Sequence, residues 1–191
     1  MKIAVFASGN GSNFQAIIDA MENGALSVEI GLLVCDKAGA MAIERAKAHS
    51  IPTFVFAAKS YASKEAFETD ILKQLRIHNI EWIFLAGYMR LIGTVLLEAY
   101  KGRIVNIHPS LLPAFPGKDA VGQALEAGAT ETGVTIHFVD EGMDTGPVIA
   151  QAPVSIEPSD THESLHQKIQ ALEHTLYIQT IQTLVTGVKL S

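Results

Sequence analysis

The chain has 191 residues, 48% hydrophobic and 18% charged, which suits one compact domain with a large core better than two very small ones. Its formal net charge of −6 disfavours the cationic surface that a phosphate backbone requires, so nucleic acid is not an expected partner. No apolar run is long enough to span a bilayer, the apolar start at residues 3–7 is too short for a signal-peptide core, and the lone Cys35 can form no internal disulfide and reads as a small core residue. The expectation is a cytoplasmic protein with no membrane partner.

Short β-rich runs alternate with segments of helical period. Residues 2–7 read as a first strand, and 13–21 as a helix with Phe14, Ile17, Ile18 and Met21 on one side. A strand at 28–34, a helix at 40–49 and a strand at 53–56, introduced by Pro52, come next. Residues 63–78 carry Phe67, Ile71, Leu72 and Leu75 at helical spacing, and 82–86 form a continuous apolar run of the kind a central parallel strand needs. After a short helix near 94–100 and a strand bearing Asn106 and His108 come a loop rich in Pro and Gly and a helix at 120–127. Strands at 134–139 and 148–156 flank a turn-rich connection, which predicts antiparallel pairing at the sheet edge. A helix at about 161–184, opened by Asp160 and Glu163 in a capping-box pattern, closes the chain. The sum is a single-domain α/β fold: a Rossmann-like, right-handed, doubly wound, mostly parallel sheet with an antiparallel edge and a long C-terminal helix.

Asn106 and His108 stand two apart in an extended run, so alternation points both to one face. Pro109 has no donor to continue a ladder and places the pair where the strand ends, the region where open α/β sheets bind ligands. An amide that donates to a developing O⁻, beside an imidazole that moves a proton, suits acyl transfer. A structural pair satisfying buried backbone groups is the more frequent use of such residues.

The turn Ser8-Gly9-Asn10-Gly11-Ser12-Asn13 joins the first strand to the first helix, where free backbone amides and the helix dipole favour an anion. A tight turn with Ser12 as helix cap needs the same glycines. Phe14 occupies the place of the third glycine of the dinucleotide fingerprint, and no P-loop Gly-Lys-Ser/Thr follows, so NAD is not expected. Asp36, at the end of the second strand where a ribose-binding acid would lie, reads as a loop cap before Lys37. The histidines are scattered, so no metal is expected.

Together, Ser8 to Asn13, Leu85-Ala86-Gly87-Tyr88-Met89-Arg90, Asn106-Ile107-His108-Pro109-Ser110-Leu111-Leu112-Pro113 and the turn from Asp140 to Pro147 resemble, in order along nearly the whole chain, the phosphoribosylglycinamide formyltransferases, the folate-dependent glycinamide ribonucleotide transformylases of purine synthesis. The resemblance implies transfer of the formyl group of 10-formyltetrahydrofolate, a co-substrate, to the amine of glycinamide ribonucleotide. One formyltransferase domain, 1–191, would comprise a nucleotide-substrate half (about 1–100) and a folate and catalytic half (about 101–191), as a monomer or homodimer. It assigns Asn106 and His108 to the tetrahedral oxyanion and Asp144 to favouring the charged imidazole and organising a water. Without it, Asp144 reads as a turn former. The resemblance puts Gly11, Ser12 and Asn13 on the substrate phosphate, and Gln170 and Glu173, otherwise a solvated helix face, at the ribonucleotide with Glu173 on the ribose. It puts Met89, Arg90, Leu91, Ile92, Leu97, Ile104, Asn106, Val139, Asp140, Glu141, Gly142, Met143 and Asp144 around the folate, with Lys64 at its tail and Arg90 reaching toward a carboxylate.

Two positions depart from the family pattern. Asp119 and Val121 stand where some relatives carry His-x-His, and Lys64 stands where Arg is common, keeping charge but losing a bidentate fork. His137 reads as structural, and His49, His78, His162, His166 and His174 as surface or helix residues. Formyltetrahydrofolate hydrolase and methionyl-tRNA formyltransferase are neighbouring activities, but the chain is expected to lack the regulatory domain of the first and the RNA-binding domain of the second. A non-catalytic folate- or nucleotide-binding module is a further alternative, opposed by the presence of Asn106, His108 and Asp144 together.

Overall fold

The strand and helix signals resolve, in a computed structural model that describes residues 1–187, into seven strands and six α-helices among the described residues. In chain order these are β1 (Lys2–Ala7), α1 (Ser12–Glu22), β2 (Glu29–Cys35), α2 (Met41–Ala48), β3 (Thr53–Val55), α3 (Lys64–Ile77), β4 (Trp82–Leu85), α4 (Thr94–Ala99), β5 (Ile104–His108), α5 (Ala120–Glu126), β6 (Glu131–Phe138), β7 (Val148–Ser155) and α6 (His162–Thr186). The last four residues of the expected 1–191 domain lie outside the described residues.

One sheet takes in all seven strands in the order β3-β2-β1-β4-β5-β6-β7. Pairing is parallel from β3 through β5 and antiparallel for β5 with β6 and β6 with β7. The fold is thus the expected α/β sheet with an antiparallel edge. It crosses residue 100 without a break, so both expected halves share one sheet.

The central strands are apolar throughout because both of their faces are covered. Ile3, Val5 and Leu33 face a layer formed by α1, α2, α5 and α6, with Phe14, Ile17, Ala42, Val121, Leu165 and Tyr177 in it. Ala4, Phe6, Leu32 and Val34 face α3 and α4, meeting Phe67, Ile71, Leu75 and Leu96. The chain changes layer between β3 and β4 and then lays β4 beside β1, which creates the topological switch where such sheets open a crevice.

Three local expectations are corrected. Helix α6 is capped by Thr161 in a reciprocal box with Ser164. Asp160 is engaged instead by Lys168 Nζ at 2.6 Å, Ser164 Oγ at 2.7 Å and the Glu157 amide at 2.8 Å, so it braces the turn ahead of the helix. Helix α1 is capped by Gly11 in the left-handed region at φ 77°, with Ser12 already inside the helix. Strand β6 begins at Glu131, three residues before the expected start, because pairing with β7 extends from Glu131 to His137.

Tyr177 ties α6 to the sheet. Fully buried, its hydroxyl lies 2.8 Å from the Leu85 carbonyl and 3.3 Å from that of Val105, the two strands that lead into the crevice. No helix among the described residues is long and apolar enough to cross a membrane. Tyr177→Phe keeps the ring and removes that bridge; it should lower the free energy of unfolding by about 1–3 kcal/mol, read as a shift in urea midpoint at unchanged slope.

Candidate active site

A cleft of about 790 Å³ opens at the carboxyl ends of β1, β4 and β5. Its first wall is the turn after β1. Buried Ser8 accepts the Met89 amide on its hydroxyl at 2.9 Å and donates its own amide to the Gly87 carbonyl at 3.0 Å, locking the loops after β1 and β4 together. Gly11 is required here: its φ is positive, and a Cβ would sit 3.0 Å from that of Ala42. Gly11 offers no side-chain cap and the first turn of α1 has no acidic residue, so its amides are left for an anion.

The far end of the chain closes over this turn. Gln170 donates to Ser12 Oγ at 2.8 Å, and Asn13 Nδ2 donates to Glu173 Oε2 at 3.1 Å. Gln170 and Glu173 therefore face α1 rather than solvent. Burial pushes the Glu173 carboxyl up to about 7, against the lowering effect of the Asn13 hydrogen bond.

The second wall is the end of β5. Asn106 and His108 both border the cleft, as strand alternation requires. His108 Nε2 lies 2.9 Å from the Phe115 carbonyl, which can only accept, so the proton sits on Nε2 and Nδ1 is left to face the cleft. Asp144 Oδ2 is 3.5 Å from that Nδ1 and accepts the Gly117 amide at 2.9 Å. Asp144 adopts φ 56°, so the turn-former reading holds as well, with the turn aiming the carboxylate at His108.

His137 belongs to this cluster, correcting its reading as merely structural. Its Nε2 lies 3.4 Å from Asn106 Nδ2 and 3.8 Å from Asp144 Oδ1. Its Nδ1 faces the Phe138 carbonyl at 2.9 Å, so Nε2 is the acceptor that orients the Asn106 amide. The signal that could have found it is the pairing of β5 with β6, in which Asn106 stands opposite His137.

The apolar end of the cleft carries Met89, Leu91, Ile92, Val139 and Met143, with Gly142 and Arg90. Met89, Leu91 and Met143 are exposed apolar side chains gathered at one place. Arg90 is no free surface charge, since its Nε donates to Asp36 Oδ2 at 2.7 Å. Asp36 is accordingly neither a loop cap nor a free acid for ribose.

Other expected folate residues lie outside the cleft wall. Lys64 Nζ donates to the Leu91 carbonyl at 2.8 Å, bracing the wall from behind. Leu97 and Ile104 pack in the core layer with α3 and α4. Asp140 accepts from Thr145 Oγ1 at 2.6 Å and from the Gly142 amide at 3.0 Å, bonds that shape the loop and, Thr145 first, hold its carboxyl below the usual range. Glu141 does not reach the cleft. His162 and His166, exposed residues of α6 as expected, also border it, and His162 Nε2 pairs with Asp119 at 2.7 Å. Among the described residues no group of three or more His, Cys, Asp or Glu is arranged to hold a metal ion.

The sequence profile of the family described as Formyl transferase matches residues 1–181. The phosphoribosylglycinamide formyltransferase of Bacillus subtilis (strain 168) is 58% identical over 96% of this chain and 94% of its own length. The crystal structure of phosphoribosylglycinamide formyltransferase from Bacillus halodurans superposes with a TM-score of 0.96 at 54% identity, covering 99% of this chain and 97% of that one. Glycinamide ribonucleotide transformylase 1 from Geobacillus kaustophilus gives 0.94 at 60% identity over 96% and 97%.

The raised Glu173 carboxyl has a consequence for stability. Between its ordinary value near 4.5 and about 7 the folded chain keeps a proton that the unfolded chain releases, so this group's contribution is full at low pH and is lost as pH rises through that interval. Glu173→Gln should flatten the decline in unfolding free energy between roughly pH 5 and pH 8, measured by urea denaturation at both; an unchanged slope would place the titration elsewhere.

Proposed function

The chain belongs to the formyl transferase family, and we infer from its cleft how it moves the formyl group of 10-formyltetrahydrofolate to the amine of glycinamide ribonucleotide. That transformylation is a step of purine biosynthesis and is the activity of the relatives at 54–60% identity. The observation that carries the residue assignment is the meeting of Asn106, His108 and Asp144 in one cleft lined by both polar and apolar residues.

The polar end takes the ribonucleotide. Amides at Gly11, Ser12 and Asn13 would receive its phosphate, and Gln170 and Glu173 its ribose hydroxyls. The apolar end takes the pterin between Met89, Leu91, Ile92, Val139 and Met143, with the backbone of residues 142–144 reading its polar edge.

The amine attacks the formyl carbon between these ends and the carbonyl oxygen becomes an oxyanion. Asn106 Nδ2, oriented by His137, donates to it, and so does His108 Nδ1 when protonated. Asp144, facing Nδ1, stabilises the positive charge His108 then carries. Collapse of the intermediate breaks the bond to the folate nitrogen, which takes the His108 proton as it leaves. The proton lost by the attacking amine restores His108.

His108→Ala and Asp144→Asn should each lower kcat by about 10²–10⁴-fold with the fold retained by circular dichroism, and near-normal rates in either would remove this mechanism. Purified protein should consume 10-formyltetrahydrofolate only when glycinamide ribonucleotide is present; consumption without it would mark a hydrolase.

A further inference from the structure

Asp36 takes no part in the mechanism and does not line the cleft, yet it is a buried carboxylate bound to Arg90, which does. The Asp36 side chain is 2% exposed, at the end of β2, and one oxygen, Oδ1, has no hydrogen-bond partner among the described residues. The other oxygen binds Arg90 Nε at 2.7 Å across 54 residues of chain. Removing a carboxylate from water with one oxygen unsatisfied is costly, and a single ion pair to a side chain still 37% exposed offsets little of it. Stability is therefore a poor reason for Asp36 to be there.

Geometry supplies a better one. Arginine binds a carboxylate best through a two-pronged edge of its guanidinium. Asp36 occupies Nε, and the guanidinium lies 5.8 Å over the ring of Phe67. With one edge tied and one face stacked, the remaining terminal nitrogens form a fixed fork at the cleft, where Arg90 borders the apolar end. Lys64, the other cation expected here, donates to the Leu91 carbonyl and has no planar two-pronged edge to offer.

We propose that Asp36 is a positioning residue that sets selectivity for a carboxylate-bearing folate tail by holding the Arg90 fork in place. The inference rests on the reading of the apolar end as the folate site. Asp36 touches no substrate and acts only through Arg90, so its loss should weaken binding of the tail and leave chemistry and ribonucleotide binding alone.

The test is calorimetric titration of wild type and Asp36→Asn with tetrahydrofolate and with tetrahydropteroyl amide, which lacks the glutamate, alongside steady-state kinetics. Wild type should prefer the glutamate-bearing ligand by about tenfold or more, a charge-assisted hydrogen bond's worth. Asp36→Asn should erase most of that preference, raise KM for the folate co-substrate to match, and leave kcat and KM for the ribonucleotide within about twofold. A preference that survives Asp36→Asn, or an equal loss for both ligands, overturns the proposal. Arg90→Lys, which keeps charge without the fork, should show the same selective loss and carries the test if Asp36→Asn does not fold. Binding of neither ligand by wild type would bring down the functional reading itself, an outcome distinct from the failure of Asp36 alone.

Discussion

Parallel pairing of β1, β4 and β5 in fixed register is the constraint on which the site depends. Phe6 stands beside Leu85, and Leu85 beside Asn106, so the three strands end at one depth. Two residues further on, this register brings Ser8 to Gly87, where the amide of one meets the carbonyl of the other at 3.0 Å. It also brings His108 to the end of its strand. A slip of one residue in β5 would turn Asn106 and His108 to the opposite face, into the layer that now receives Val105 and Ile107.

The face on which Asn106 and His108 emerge is open because helix cover stops short there. That face is packed by α3 and by α4, a helix of six residues, and the sheet continues beyond them into β6 and β7. The 139–147 connection folds back over the uncovered part and brings Asp144 to His108 and His137. A longer α4 would have filled the space as core. The antiparallel turn of the sheet matters equally, since pairing β6 against β5 sets His137 opposite Asn106 and Thr135 opposite His108. There Thr135 Oγ1 donates to the Ser110 carbonyl at 2.7 Å and accepts the Leu112 amide at 3.0 Å, fixing the turn that follows His108.

Whatever depends on local period was legible in the sequence. Alternation placed Asn106 and His108 on one face, helical spacing located α1 and α3, and the glycines marked the turn after β1, because each rule acts over a few residues. Contacts between distant segments were not legible. His137 joins the site through strand register, Arg90 meets Asp36 across 54 residues, and Gln170 meets Ser12 across 158. The capping error at Asp160 has the same origin. A cap motif assumes a free side chain, whereas Lys168, two turns along α6, competes for this one. Leu97 and Ile104 show the converse: apolar residues near a site in sequence belong to whichever layer their face selects, and here that is the core.

These long-range contacts mean that the chain does not divide its labour at residue 100. The polar end of the cleft is built from residues 11–13 with Gln170 and Glu173, and the apolar end from residues 89–92 with Val139, Gly142 and Met143. Each end therefore draws on both halves of the sequence. The join is α6, which packs Leu165, Ile169, Tyr177 and Ile181 into the same layer as α1 and reaches across β4 and β5 through the Tyr177 hydroxyl. Gln170 and Glu173 sit on this helix between two of those anchors, Ile169 and Tyr177. The packing that holds the last helix in the core is thus the same packing that presents its polar side chains to the turn after β1, and neither can be loosened without the other.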